Sequence, residues 1–370
     1  MPGHRHSSLG GPSRRPVAHR TPVRPSGWRR FLSGQALTSR VALLRTAMIL
    51  LATGCGPRVM AAGPTLMPGE AISRARPGET VLIAPGVYHD CAVERADDVM
   101  IAGAGPGVVF SSKTCADKGI LVIEGDDVTV RNLTLEHAEV PAHNGAGIRA
   151  EGGNLTVDHV RFLDNEDGIL SAPNPHAVVR IRNSDFERNG KCEGDCAHGI
   201  YIGRVVELDV TDSQFFDQRI GHHIKSRALK TVLIGNRIED GSRGTASYEV
   251  DIPSGGSLIM LDNTLEKGPR SDNPGSAVIL GEEKNSGIQP TQEILIRDNR
   301  FTNANPQATI FVNNQTATPA ILEGNALRGD VRPLLGPGKV MATAPLGPAA
   351  TAPQRPIRPH ADAPETPRTY

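Results

Sequence analysis

Aromatic residues make up only 4% of this 370-residue chain, and the sole tryptophan, Trp28, lies near the N-terminus. Clefts for neutral sugars are commonly floored by Trp or Tyr rings. Past residue 62 only Tyr88, Tyr201, Tyr248 and Tyr370 are on offer, which counts against such a cleft. A charge excess is also missing: 40 basic residues balance 40 acidic ones, so no basic face of the kind a nucleic-acid polyanion needs is implied. Nor is there an apolar run near the roughly 20 residues that a membrane-spanning helix requires. Helical periodicity is scarce. Glycine, with 40 residues, and proline, with 29, are abundant instead.

The ends differ from the middle. Residues 1–40, rich in Pro, Arg, Ser and Gly, read as disordered or as an over-extended start, with translation beginning nearer Val41 or Met48. Residues 41–62 read as a signal peptide: Arg40 and Arg45 flank a first apolar stretch, the apolar run 47–52 follows, and small residues end it. Cleavage after Ala61 is one option, and lipidation at Cys55 after Ala52, Thr53 and Gly54 is another, although the usual leucine of a lipoprotein box is absent. The expectation is an exported protein, periplasmic or extracellular. Residues 336–370, dominated by Pro, Ala and Thr, read as a flexible tail.

Export permits disulfides, and the four cysteines beyond Cys55 allow three connectivities. Cys192 and Cys196 bracket a short loop, and Cys91 and Cys115 lie 24 positions apart, close to the repeat length below. Those spacings favour Cys91 with Cys115 and Cys192 with Cys196; four buried thiols are the alternative.

A repeat organises residues 63–335. Short alternating segments run to an Asn, Asp, His or Gly and then to a large apolar residue: Asn132 to Leu135, His159 to Phe162, Asn183 to Phe186, Asp212 to Phe215, Gly235 to Ile238, Asp262 to Leu265, Asp298 to Phe301 and Gly324 to Leu327. Those apolar positions recur on average about every 27 residues. Further short strands, such as those around Ile200, Ile224 and Val250, complete each unit. Strands this short cannot bury their apolar residues alone, whereas stacked coils cover one another. Corner Asn, Asp and Gly tolerate the left-handed backbone that a tight bend requires.

Residues 66–75 carry helix-spaced apolar positions, and residues 76–88 pass from a Pro-Gly turn through Val81 and Ile83 to Gly86 and Tyr88. With that opening the chain resembles the right-handed parallel β-helix proteins of the pectin-lyase-like superfamily over residues 64–335. The fold expected is all-β, a single-stranded right-handed parallel β-helix of nine or ten coils with a short N-terminal capping helix. The resemblance implies no one activity, because the superfamily hosts lyases, hydrolases, epimerases and inert adhesins. The Asp-rich and Gly-His-Gly motifs of its polygalacturonases and the Trp-containing motifs of its pectate lyases are missing.

Chemistry concentrates in residues 221–227. Strand alternation with Ile200, Ile202, Ile224, Val250 and Ile252 inward sends Tyr201, His223, Lys225, Arg227, Glu249 and Asp251 outward, and sends His222 away from them. Residues 201, 225 and 249 recur every 24, predicting a ladder about 10 Å long on neighbouring strands. His198 sits beside it. Such a set suits proton transfer next to a uronate carboxylate. Lys225 or His223 would be the base, Arg227 the carboxylate clamp, and Tyr201 or His198 the acid. Glu249 and Asp251 would hold the cations or offer oxygens to Ca²⁺. No cofactor is otherwise required, and a metal site of His198, His222 and His223 lacks a recognisable ligand spacing.

The function expected is therefore a lyase or C5-epimerase acting on an acidic polysaccharide, without nucleic-acid partner or membrane span; the sequence leaves oligomeric state open. Two rivals stand beside it. One is a non-catalytic carbohydrate-binding or adhesion solenoid, in which opposite charges on adjacent strands merely stabilise a sheet. The other is an inverting glycoside hydrolase using Glu249 and Asp251, which strand rise would place about 6.6 Å apart.

Overall fold

A computed structural model describes residues 58–62, 66–284, 287–342 and 344–345; the extension 1–40, the apolar run, Cys55 and the tail beyond 345 lie outside these. Each coil contributes one strand to each of three parallel sheets, as in Leu155–Asp158, Arg161–Leu163 and Asp167–Ser171. Sheets of 12, 11 and 10 strands result, each ordered by chain position, and the body is a right-handed parallel β-helix of ten complete coils.

Sequence dictates the bends. All eight corner residues named above, from Asn132 to Gly324, have positive φ, between 48° and 66°. Asp and Asn bear that conformation better than most side chains, because their short polar groups bond locally. The residue after each corner turns inward. In the early coils it is Leu133 or Val160, then Ser184 and Ser213, and from Asn236 onward Asn263, Asn299 and Asn325. Asn236, Asn263 and Asn299 each bond both to the next amide and to a strand carbonyl, and Asn325 ends the series on Ile296 O: Asn263 Nδ2 donates to Asn299 Oδ1 and to Leu233 O, at 2.9 and 2.8 Å. Buried corner polar groups thus satisfy one another along the stack.

Two positions further on, the large apolar residues form a column in register, Leu135, Phe162, Phe186, Phe215 and Ile238. Phe162, Phe186 and Phe215 stack with centroids 4.5 Å apart. That spacing matches the distance between hydrogen-bonded strands, about 4.8 Å, so in-register pairing aligns the rings without strain.

Two elements lie against the first coil. Arg58–Ala62, the end of the segment read as a signal, pairs in parallel with Glu79–Ile83. Between them the helix Pro68–Ser73 packs on Ala92–Glu94, with Ala71 and Ile72 buried. Gly69 N–H donates to Asp90 Oδ2 at 2.7 Å. A Cβ at Gly69 would fall 2.2 Å from the Cys91 carbonyl oxygen, so the close approach needs glycine. At the far end Gly338–Met341 pairs with Ala320–Glu323, carrying parallel pairing past Leu335, where the sequence period fades.

Two disulfides are present, Cys91–Cys115 and Cys192–Cys196. The first ties the first coil to the second, and the other closes a small hairpin. Among the described residues no helix is long and apolar enough to cross a membrane. The two disulfides are consistent with an exported protein.

Candidate functional site

Register along the ten-stranded sheet places Arg149, Leu170, Tyr201, Lys225, Asp251 and Ile279 in one outward line. Ile200, Ile224 and Val250 beside them are wholly buried and fix the facing. Lys225 pairs with Asp251, not with Glu249, because the coil between them is two residues longer than the one before.

Two expected members of the line turn the other way. His223 and Glu249 each precede their strand, Ile224–Ser226 and Val250–Ile252, and strand alternation does not extend into the bend. Both are fully buried inside the coil. His223 Nε2 lies 3.0 Å from Asp240 Oδ1, and Glu249 Oε2 lies 3.0 Å from Lys267 Nζ. Lys267 Nζ also donates to Ser247 O at 2.7 Å. Burial pushes the Glu249 carboxyl up to about 8 against the pull of that ammonium. Neither His223 nor Glu249 can reach a ligand on the outer face. The Glu249–Asp251 carboxylate pair of a hydrolase is therefore not assembled.

His222, expected to stand apart, takes the place assigned to His223. Three rings stack on successive coils: His198 on His222, centroids 4.8 Å apart, and His222 on Tyr248, 5.0 Å apart. The next coil's backbone locks each imidazole. His222 N–H donates to His198 Nδ1 at 3.0 Å, and Tyr248 N–H donates to His222 Nδ1 at 3.3 Å. A nitrogen that accepts a hydrogen bond carries no proton, so the network assigns both rings as neutral with the proton on Nε2. Burial, reinforced by nearby cations, acts in the same direction, holding His198 well below its ordinary value and His222 near about 3. His222 Nε2 lies 3.4 Å from Asp251 Oδ2. His198, 3% exposed, sits edge-on to Tyr201 beneath the surface.

Asp251 is the buried acid of the site. Its Oδ2 is 3.3 Å from Lys225 Nζ, and burial lifts its carboxyl to about 7, partly offset by that ammonium. Arg227 Nε–H donates to Tyr201 Oη at 2.8 Å, and Nη1 donates to Ser254 Oγ at 2.5 Å. Its two terminal nitrogens meet both oxygens of Glu283, at 2.7 and 2.9 Å. Against burial, these bonds to Glu283 and Tyr201 hold the Arg227 pKa above its ordinary value. Glu283 Oε1 also lies 3.6 Å from Lys225 Nζ. Glu282 is hydrogen-bonded to Tyr248, and burial raises its carboxyl despite the nearby Lys225.

Glu282, Glu283, Ser254 and Tyr248 join the site although the sequence did not assign them to it. One signal pointed to Glu282 and Glu283: the step from Leu265 to Phe301, 36 residues, is the longest in the repeat, whereas Tyr248 and Ser254 lie in a step of ordinary length. An outsized coil must fold its surplus over a face, and here residues 281–284 and 287–293 supply it. The Cys192–Cys196 hairpin reaches elsewhere, with Glu193 Oε2 3.1 Å from His143 Nε2. Ca²⁺ does not fit these oxygens. Asp251 faces Lys225 and His222, Glu283 faces both cations, and Glu249 is inside. Among the described residues no group of three His, Cys, Asp or Glu side chains converges as a metal site.

No protein-family model matches the chain and no curated protein is detectably similar to it. Among solved structures, pectate lyase Pel9A aligns at 15% identity over 80% of this chain and 82% of that one, TM-score 0.42. The A-module of the Azotobacter vinelandii mannuronan C-5 epimerase AlgE4 aligns at 14% over 72% and 91%, TM-score 0.41. A rice weevil pectin methyl esterase aligns at 10% over 65% and 76%, TM-score 0.34.

Proposed function

We propose that the protein acts on an acidic polysaccharide by moving a proton at the carbon beside a uronate carboxylate, giving β-elimination or C5-epimerisation. One observation carries the reading: Lys225 and Arg227 project from adjoining positions on one face, with Tyr201 Oη on Arg227 and a buried, near-neutral-titrating Asp251 behind Lys225.

The roles follow from the contacts. Arg227 neutralises the uronate carboxylate, which makes its α-proton removable. Lys225 Nζ passes a proton to Asp251 Oδ2 and then takes the C5 proton, while the electron pair moves into an enolate spread over the carboxylate. Tyr201 Oη accepts from Arg227, so its own O–H is free to donate. That proton goes to the departing O4 as the C4–O4 bond breaks, or back to C5 from the opposite face. His222 Nε2–H steadies Asp251.

Alginate, pectate and glycosaminoglycans should be screened for the near-ultraviolet absorbance of unsaturated uronates and, by NMR, for inverted C5. Lys225→Ala and Tyr201→Phe should each lower kcat by roughly 100-fold or more. Activity that survives both substitutions would overturn the assignment. A second reading has its own support, since Lys225 and Arg227 already have carboxylate partners. Saturable polysaccharide binding without turnover would favour that non-catalytic binding or adhesion solenoid.

A further inference from the structure

The outward face of the twelve-stranded sheet changes character along the stack. Thr129, Thr156 and Arg180 share one outward row in register, and Asp209 follows them. Over the next four coils the row turns apolar, with Val232, Ile259, Leu295 and Ile321 paired in succession, and Lys339 ends it. Ile234 and Leu261, paired with each other, flank the apolar stretch. Ile321 is 40% and Ile234 36% exposed. Scattered apolar residues at a surface need no partner, whereas a contiguous row of them marks a contact. We propose that this row is the interface of a homodimer, in which two copies pack sheet on sheet with their stacks antiparallel and Asp209 of each copy meets Lys339 of the other.

Charge selects the occupant, because the row is its own complement. A two-fold axis lying in the interface along the strands, midway between Ile259 and Leu295, reverses the order of the coils. Ile259 then faces Leu295, Val232 faces Ile321, and Asp209 faces Lys339. The other isologous arrangement, with the axis along the stack, sets Asp209 on Asp209 and Lys339 on Lys339, and like charges exclude it. Neither end of the row is satisfied within one copy. Among the described residues, Asp209 Oδ1 is buried without a hydrogen-bond partner, and Oδ2 lies 3.9 Å from Arg182 Nη2. Lys339 is exposed and has no acidic partner among them. The flanking charges are balanced locally instead: Lys230 Nζ lies 3.2 Å from Glu207 Oε2, and Arg297 stands beside Glu323 on the next strand. A lipid surface would call for cations around the whole patch, and the rim is mixed.

Side chains of two such faces interdigitate across about 10 Å. Six strands of up to five residues give a footprint of about 29 Å by 16 Å on each copy, at the small end of specific interfaces, which corresponds to association in the micromolar range. The candidate site lies on the ten-stranded sheet, so it stays open in the dimer, and the dimer does not depend on the activity.

Sedimentation velocity between about 5 and 500 µM should show a monomer–dimer equilibrium. Zero-length carbodiimide coupling of the wild-type protein should join Lys339 to Asp209. Such a link must come from two chains, because within one copy the two residues stand five strand spacings apart, about 24 Å. Ile321→Asp and Lys339→Glu, both at exposed positions, should each weaken the dimer roughly 10-fold or more. Asp209→Lys should do the same, and an equimolar mixture of the Asp209→Lys and Lys339→Glu chains should restore it, since every end contact then joins opposite charges. A monomer at every concentration overturns the proposal, as does a mixture no tighter than its components. Coupling of Lys339 to Asp362 or Glu365 in place of Asp209 would make residues 346–370 the occupant of the face and overturns it equally.

Discussion

Asp251 is the residue whose protonation weighs most on both stability and chemistry. Its pKa rises from 3.8 to about 7 on folding because the carboxyl is moved out of water. The folded protein therefore binds the proton more tightly than the unfolded chain. The neutral carboxyl costs nothing below about pH 4, and a penalty grows as pH rises through 7, to at most about 4 kcal/mol. Asp251→Asn removes the titration. Its stability relative to wild type should be near zero at pH 4 and positive at pH 8.5, measured by urea unfolding at both values; an equal difference at the two pH values would contradict a desolvated carboxylate. Legibility at this scale ended where strands end. Alternation correctly sent Tyr201, Lys225 and Asp251 outward, because each lies within a strand. It misassigned His223 and Glu249, one residue before theirs, where the bend turns the side chain into the coil. His222 was misread for the same reason, since it follows the positive-φ Gly221.

Elements are held together by columns that run across them, and one such column is built of ionisable side chains. His223–Asp240 and Glu249–Lys267 bring four ionisable side chains inside the coil, each fully buried. Buried pairs hold together poorly when halved and well when replaced whole. Lys267→Met alone should lower stability by about 3 kcal/mol, and Lys267→Met with Glu249→Leu should recover most of it, read as urea midpoints at pH 7. Additive losses would mean that the two side chains do not act as a unit. The corners were readable one by one, because an Asn or Asp at a fixed offset before an apolar residue has a local reason for its conformation. The amide ladder was not readable. Asn263 beside Asp262 looks like another turn residue until the neighbouring coil supplies Asn299. Residues 281–293 announced themselves only by the length of their coil, which gives no information about where Glu283 points.

At the scale of the whole body, strand pairing joins each coil only to its neighbours, and only a few side chains, such as Arg227 on Glu283, reach a second coil, so stability is roughly a chain of nearest-neighbour terms and the ends govern fraying. Cys91–Cys115 closes a span of 24 residues at one of those ends, worth about 3 kcal/mol in loop entropy. Replacing both cysteines by serine should speed hydrogen exchange first in Glu79–Ile83, Ala92–Glu94 and Gly119–Ile123, leaving Ile224–Ser226 as protected as before. Uniform loss would mean that the stack opens as one unit. The stack was the most legible feature of all, since its evidence is repeated eight times; the segments at its two ends occur once each and lack that redundancy. The direction of the hydrogen bonds has a mechanical meaning as well. They run along the axis of the stack, so tension between Arg58 and Met341 pulls on them end-on, one coil at a time, instead of shearing a whole sheet. Each yielding coil pays out about 27 residues, roughly 90 Å of chain, except where Cys91–Cys115 withholds its share. Under load the molecule would lengthen in many small, similar steps, absorbing work as a ratcheting tether does and not snapping as a clamp.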